Sequence, residues 1–77
     1  IALIPNPTQD TVVISFLQQA ENIAVTVYDA LGRKMIQKIL PATLNKATLD
    51  VSKLPRGLYY LGLDIAGART THKLIKK

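Results

Sequence analysis

Hydrophobic and polar residues alternate along most of this chain, with the period of two that belongs to β-strands. Asn22–Tyr28 shows it most cleanly: Ile23, Val25 and Val27 fall on one face, and Ala24, Thr26 and Tyr28 on the other. Thr11–Leu17 gathers Val12, Ile14 and Phe16, while Val13 and Leu17 make its second face partly apolar. Lys46–Val51 directs Leu49 and Val51 inward. Leu58–Ile65 sets Tyr59, Leu61, Leu63 and Ile65 against Leu58, Tyr60, Gly62 and Asp64, and Arg69–Lys76 forms a last strand. Arg33–Leu40 is ambiguous, with Met35 and Ile39 on one face and Ile36 and Leu40 on the other, so both faces are expected to be partly covered. No segment sustains a helical period.

Turn residues separate these runs. Pro5-Asn6-Pro7 excludes a central strand, because proline has no N–H to donate to a ladder. Asp29-Ala30-Leu31-Gly32 reads as a hairpin loop in which Gly32 takes a positive φ. Pro41 ends the preceding strand, and Pro41–Asn45 is a loop. Leu54-Pro55-Arg56-Gly57 suits a type I turn, and Ala66-Gly67 a tight hairpin. Short strands joined by short hairpins argue for an all-β antiparallel sandwich or barrel. The expected fold is an Ig-like β-sandwich of six to seven short strands.

Composition narrows the source of stability. The 77 residues make one domain, near the lower size at which a single core folds without staples. There is no cysteine, so neither disulfides nor thiolate metal sites contribute. Hydrophobic residues make up 48%, too many for a disordered tail, and only four residues are aromatic: Phe16, Tyr28, Tyr59 and Tyr60. The formal net charge is +5, but the ten lysines and arginines are spread out, with a modest cluster at Arg69, Lys73, Lys76 and Lys77. That distribution reads first as a solvated basic face and not as a nucleic-acid site. No apolar stretch is long enough to span a bilayer, so no stable membrane insertion is expected. The chain starts at Ile1 without Met and reads as a piece, residues 1–77, of something longer.

Catalytic chemistry finds no support. His72 is the one histidine, and the five acidic residues are scattered, which argues against a metal site. His72 is expected to face solvent. Ser52 lies near Asp50 with no base to activate it, and no glycine-rich phosphate loop is present. The expectation is no enzyme and no cofactor.

Six short motifs, in order, carry a resemblance over nearly the whole chain. They are Pro5-Asn6-Pro7 behind an apolar pair; Asp10 followed by Val12 and Ile14; Val25-Thr26-Val27-Tyr28-Asp29 with Gly32-Arg33; Leu49-Asp50-Val51-Ser52; Leu54-Pro55-Arg56-Gly57-Leu58-Tyr59-Tyr60; and Lys73-Leu74-Ile75-Lys76-Lys77. Each is weak alone, and the order and spacing give them weight. Together they resemble the type A C-terminal sorting domain of the type IX (Por) secretion system of Bacteroidetes-type bacteria. Met35 departs from the pattern, where a smaller β-branched residue is expected.

The resemblance implies a C-terminal address carried by a cargo protein in the same chain. Such a cargo crosses the inner membrane with a signal peptide, passes through the periplasm, and is recognised by the outer-membrane secretion machinery. In many members a sortase-like peptidase then removes the domain, and the cargo is released or attached at the cell surface. The residues expected to form the sorting signal are Pro5, Asn6, Pro7, Tyr28, Asp29, Gly32, Gly57, Tyr59, Lys73, Leu74, Ile75, Lys76 and Lys77. Within this set the prolines and glycines read chiefly as backbone devices. Tyr59 reads as a core residue whose hydroxyl reaches a backbone partner. The last strand is expected at a sheet edge, where unpaired backbone groups can receive another chain. Deleting Lys73–Lys77 is expected to block export and to leave a foldable core. The main alternative is a fibronectin-like or carbohydrate-binding accessory module of a secreted hydrolase, although only two outward tyrosines support it. A basic nucleic-acid-binding barrel would need aromatic and basic residues on one face, whereas Tyr59 and Tyr60 lie on opposite faces of their strand.

Overall fold

A computed structural model describes all 77 residues, Ile1–Lys77, and contains no helix. Seven strands form: β1 (Ala2–Ile4), β2 (Thr11–Ser15), β3 (Asn22–Asp29), β4 (Lys34–Pro41), β5 (Lys46–Asp50), β6 (Gly57–Ile65) and β7 (Ala68–Lys76). They build two antiparallel sheets, one in the order β1-β2-β5 and the other β4-β3-β6-β7. The chain changes sheet between β2 and β3, between β4 and β5, and between β5 and β6. This three-on-four arrangement is an Ig-like sandwich.

The alternation explains why two sheets close on each other. Val12 and Ile14 of β2 stand opposite Leu49 and Ala47 of β5, and all four are buried. In the larger sheet Val25 faces Leu63, Val27 faces Leu61, and Tyr59 faces Leu74. These residues join Phe16, Ile23, Leu40, Val51, Leu54 and Ile65 in a single core. Aliphatic area dominates it, as the composition requires, and no buried side-chain nitrogen or oxygen lacks a hydrogen-bond partner. The core is closed within the chain, so the domain has the means to fold on its own.

Three sequence expectations change. The ambiguous β4 resolves because the β3–β4 ladder slips between Val27 and Tyr28, whose partners are Ile36 and Lys34. Met35 is the extra residue of a bulge. Leu40 is buried and Ile36 half-buried, but Ile39 is 72% exposed, so one face of β4 is covered and the other is open. The turn before β6 closes earlier than expected: the Leu54 N–H donates to the Val51 carbonyl at 3.0 Å. Pro55 and Arg56 then lead into β6, with Gly57 at a φ of 150°, a region that favours glycine. Third, His72 is not outward. It stands opposite Leu61 on the inward side of β7, half-buried at the margin, with Nε2 2.9 Å from the Thr70 hydroxyl. In addition, β4 continues through Pro41, at the edge of the sheet, where proline costs no ladder bond. Leu44 and Asn45, both at positive φ, make the two-residue turn into β5.

Candidate functional site

The two ends of the chain meet. β7 is an edge strand, with β6 on one side. On its other side the Pro5–Thr8 segment runs along the last residues. The Asn6 Nδ2 donates to the Lys73 carbonyl at 3.0 Å, and the Ile75 N–H donates to the Asn6 Oδ1 at 3.0 Å. The side-chain amide thus supplies one donor and one acceptor, as a peptide group of a neighbouring strand would. Thr8 continues the pairing with its backbone. Its N–H donates to the Ile75 carbonyl at 2.9 Å, and its carbonyl accepts from the Lys77 N–H at 2.7 Å. The resulting bridge between Thr8 and Lys76 is parallel.

Proline brackets this clasp for a physical reason. Pro5 and Pro7 have no N–H, so neither creates a donor that the short crossing would have to satisfy. Thr8 is buried, and its hydroxyl donates to the Thr11 carbonyl, which pins the clasp to the start of β2. The expected edge is therefore present, but four backbone groups between Lys73 and Lys77 are already taken. The same edge continues past the clasp along Arg69 and Thr71.

The terminal residues divide by face. Leu74 is fully buried against Tyr59, and Lys76 is only 9% exposed, with its Nζ 3.3 Å from the Lys77 carbonyl. Lys73, Ile75 and Lys77 are exposed. Lys76 therefore does not belong to the exposed basic surface, contrary to a reading that pools the three lysines. Deleting Lys73–Lys77 would also remove Leu74 from the core, so substitutions at the exposed positions give the cleaner test.

The other expected site residues fall into two groups. Asp29, Gly32, Gly57 and Tyr59 shape the end of the sandwich at which β7 terminates. The Asp29 carboxylate accepts from the Leu31 and Arg33 N–H groups, each at 2.9 Å, and from the Arg33 Nε at 2.6 Å. The Arg33 backbone N–H, then its side chain, holds the Asp29 carboxyl below the usual carboxylate range. Gly32, at a φ of 84°, closes that loop by donating to the Asp29 carbonyl at 3.0 Å. The Tyr59 hydroxyl donates to the Pro55 carbonyl at 2.6 Å and ties the β5–β6 corner to the core, in the manner of the tyrosine corner of Ig-like domains. Tyr28, in contrast, lies on the outer face of the larger sheet, with its ring across Gly62.

The Asp50 carboxyl is held low by Ser52, through its side chain and its N–H, which donates to the Asp50 Oδ1 at 2.8 Å across a tight turn. No group of three or more histidine, cysteine or acidic side chains converges to hold a metal ion.

The signal that sequence reading missed is Asn6 as a strand substitute. Its partners lie 67 and 69 residues away, and nothing local announces them. Compared with known families, residues 2–77 match the model of the secretion system C-terminal sorting domain. No curated protein matches the chain.

Proposed function

Because the chain belongs to the secretion system C-terminal sorting domain family, we propose that its folded, clasped end is the address read during type IX export. A domain of this family directs a cargo carried in the same chain across the outer membrane, through contact with the secretion machinery, and the family is not one of enzymes. The observation that carries the finer reading is the union of Pro5-Asn6-Pro7-Thr8 with Lys73–Lys77 through four hydrogen bonds. Two motifs at opposite ends of the sequence become one surface feature, and that feature exists only in the folded domain. The address is therefore read after the sandwich has formed, from Lys73, Ile75, Lys77 and the Pro5–Pro7 crossing. Removal of the domain by a sortase-like peptidase, with cargo released or held at the cell surface, follows as the next step of the same route.

The test is an export assay. The domain is fused to the C-terminus of a fluorescent protein with a signal peptide, in a host with an active type IX system. Fluorescence in the medium and at the surface should depend on the domain and vanish in a secretion-deficient strain. A folded fusion that stays in the periplasm, while an established sorting domain is exported by the same host, would sink this reading. The size of the exported product reports removal of the domain.

A further inference from the structure

We infer that the outer face of the four-stranded sheet, centred on the row Lys34–Tyr28–Tyr60–Lys73, docks a protein partner that presents an apolar patch bordered by carboxylates. The inference rests on the sorting reading above and names the surface and the chemistry of its contact.

A partner can reach the terminal strand by three routes. The inward face is closed, because Leu74 and Lys76 belong to the buried side. The backbone edge is closed from Lys73 to Lys77, because Asn6 and Thr8 occupy it. The outward face remains, where Lys73 and Ile75 project. What surrounds those two side chains then defines the docking surface.

The register answers this. Ile75 stands opposite Leu58, and Lys73 opposite Tyr60. Tyr60 stands opposite Tyr28, and Tyr28 opposite Lys34. One row thus crosses all four strands, with a lysine at each end and two tyrosines between. Strand spacing puts the two lysines about 14 Å apart at the backbone. Tyr60 is 38% and Ile75 41% exposed, and Leu58 and Tyr28 are half-buried beside them. Tyr60, Ile75 and Leu58 form one apolar centre on the face, and the Tyr28 ring extends from Tyr60 the other way, across Gly62.

Charge decides the partner. Lys34 and Lys73 flank the apolar centre with no ion pair to either, since the single salt bridge of the domain is Arg33–Asp29. The one acid of this face, Asp64, lies two rows away, opposite Arg69. Carboxylates placed outside an apolar patch would meet both lysines while the patch covers Ile75, Leu58 and Tyr60. A hydrated polyanion, such as a nucleic acid or an acidic glycan, would gain little from Ile75 and Leu58.

The export fusion tests this directly. Lys34→Glu/Lys73→Glu is expected to lower export about tenfold or more, and Tyr60→Ser to lower it in the same direction. Lys46→Glu/Lys53→Glu, which changes exposed lysines of β5 and the following turn, should export normally. Thermal unfolding of each purified fusion confirms that the domain remains folded, and Lys34→Gln/Lys73→Gln replaces the double reversal if that variant does not fold. Failure of the unaltered fusion to be exported would overturn the sorting reading and this inference together. Normal export of the unaltered fusion and of the Lys34/Lys73 and Tyr60 variants would overturn this inference alone. Co-sedimentation of the purified domain with lipopolysaccharide vesicles, abolished by Lys34→Glu/Lys73→Glu, would also overturn it, by assigning the face to an anionic glycan.

Discussion

The two edges of the four-stranded sheet face one hazard, a row of backbone groups open to another chain, and meet it in different ways. β4 relies on side chains and shape: Lys34 and Lys38 put charge on the strand, Met35 bulges, and Pro41 sits at its end. Its outward face is poorly covered, as Ile39 shows, while Leu40 is buried in the core. β7 relies on pairing, with Asn6 and Thr8 in the place of an eighth strand over its last residues. Charge leaves the β4 backbone free and makes that edge independent of the rest of the chain. Pairing couples the end of β7 to a motif near residue 6, so the exposed face of the terminal strand is held at the cost of a long-range dependence.

Substitutions in the two strands should separate them most. Leu74→Ala opens the core next to Tyr59 and should cost about 2–5 kcal/mol in equilibrium unfolding. Ile39→Ala, on the open face of β4, should stay within about 0.5 kcal/mol. Equal losses would mean that the two strands are buried alike. Next in size is Asn6→Ala, which removes a donor and an acceptor from the edge of β7. About 1–2 kcal/mol is expected, since the freed groups can reach water. The Ile75 amide should lose protection from hydrogen exchange while β4 amides are unchanged, and unaltered protection would show that the clasp does not hold the strand.

The smallest effect is one of pH. The Asp29 carboxyl titrates lower in the folded domain than its ordinary value, so its contribution is present above about pH 3.9 and is lost as pH falls through the folded value. Acid should therefore loosen the Asp29–Arg33 loop, lowering the protection of the Leu31 and Arg33 amides. The clasp at β7 is built from amide and peptide groups and should not respond. Asp29→Asn should abolish the acid response of the loop, and a loss of Ile75 amide protection in acid, measured against the intrinsic exchange rate at each pH, would contradict the comparison.

Most of the sandwich was legible along the chain, because burial between two sheets repeats every second residue and leaves its mark locally. Ile23, Val25, Val27, Tyr59, Leu61, Leu63 and Ile65 all lie where the alternation puts them. The Ala66-Gly67 hairpin and the Tyr59 hydroxyl bond could be read in the same way, since each depends on residues at most a few positions apart. Where local pattern failed, a bulge or a register intervened. The slip at Met35 decided which face of β4 is open, and pairing with Leu61 turned His72 inward.

The candidate site divides in the same way. By itself the sequence determined the fold class, because strand period and turn chemistry are short-range properties, and its ordered motifs, spread from Pro5 to Lys77, carried the resemblance to the family. Only the tertiary structure decided that Asn6 meets Lys73 and Ile75, that Lys76 turns inward while Lys73 does not, and that Lys34, Tyr28, Tyr60 and Lys73 share a row. Those relations join residues up to 69 positions apart. They are fixed by the order of strands in the sheets and by the bulge in β4, which exist only once non-local pairing has closed the sandwich.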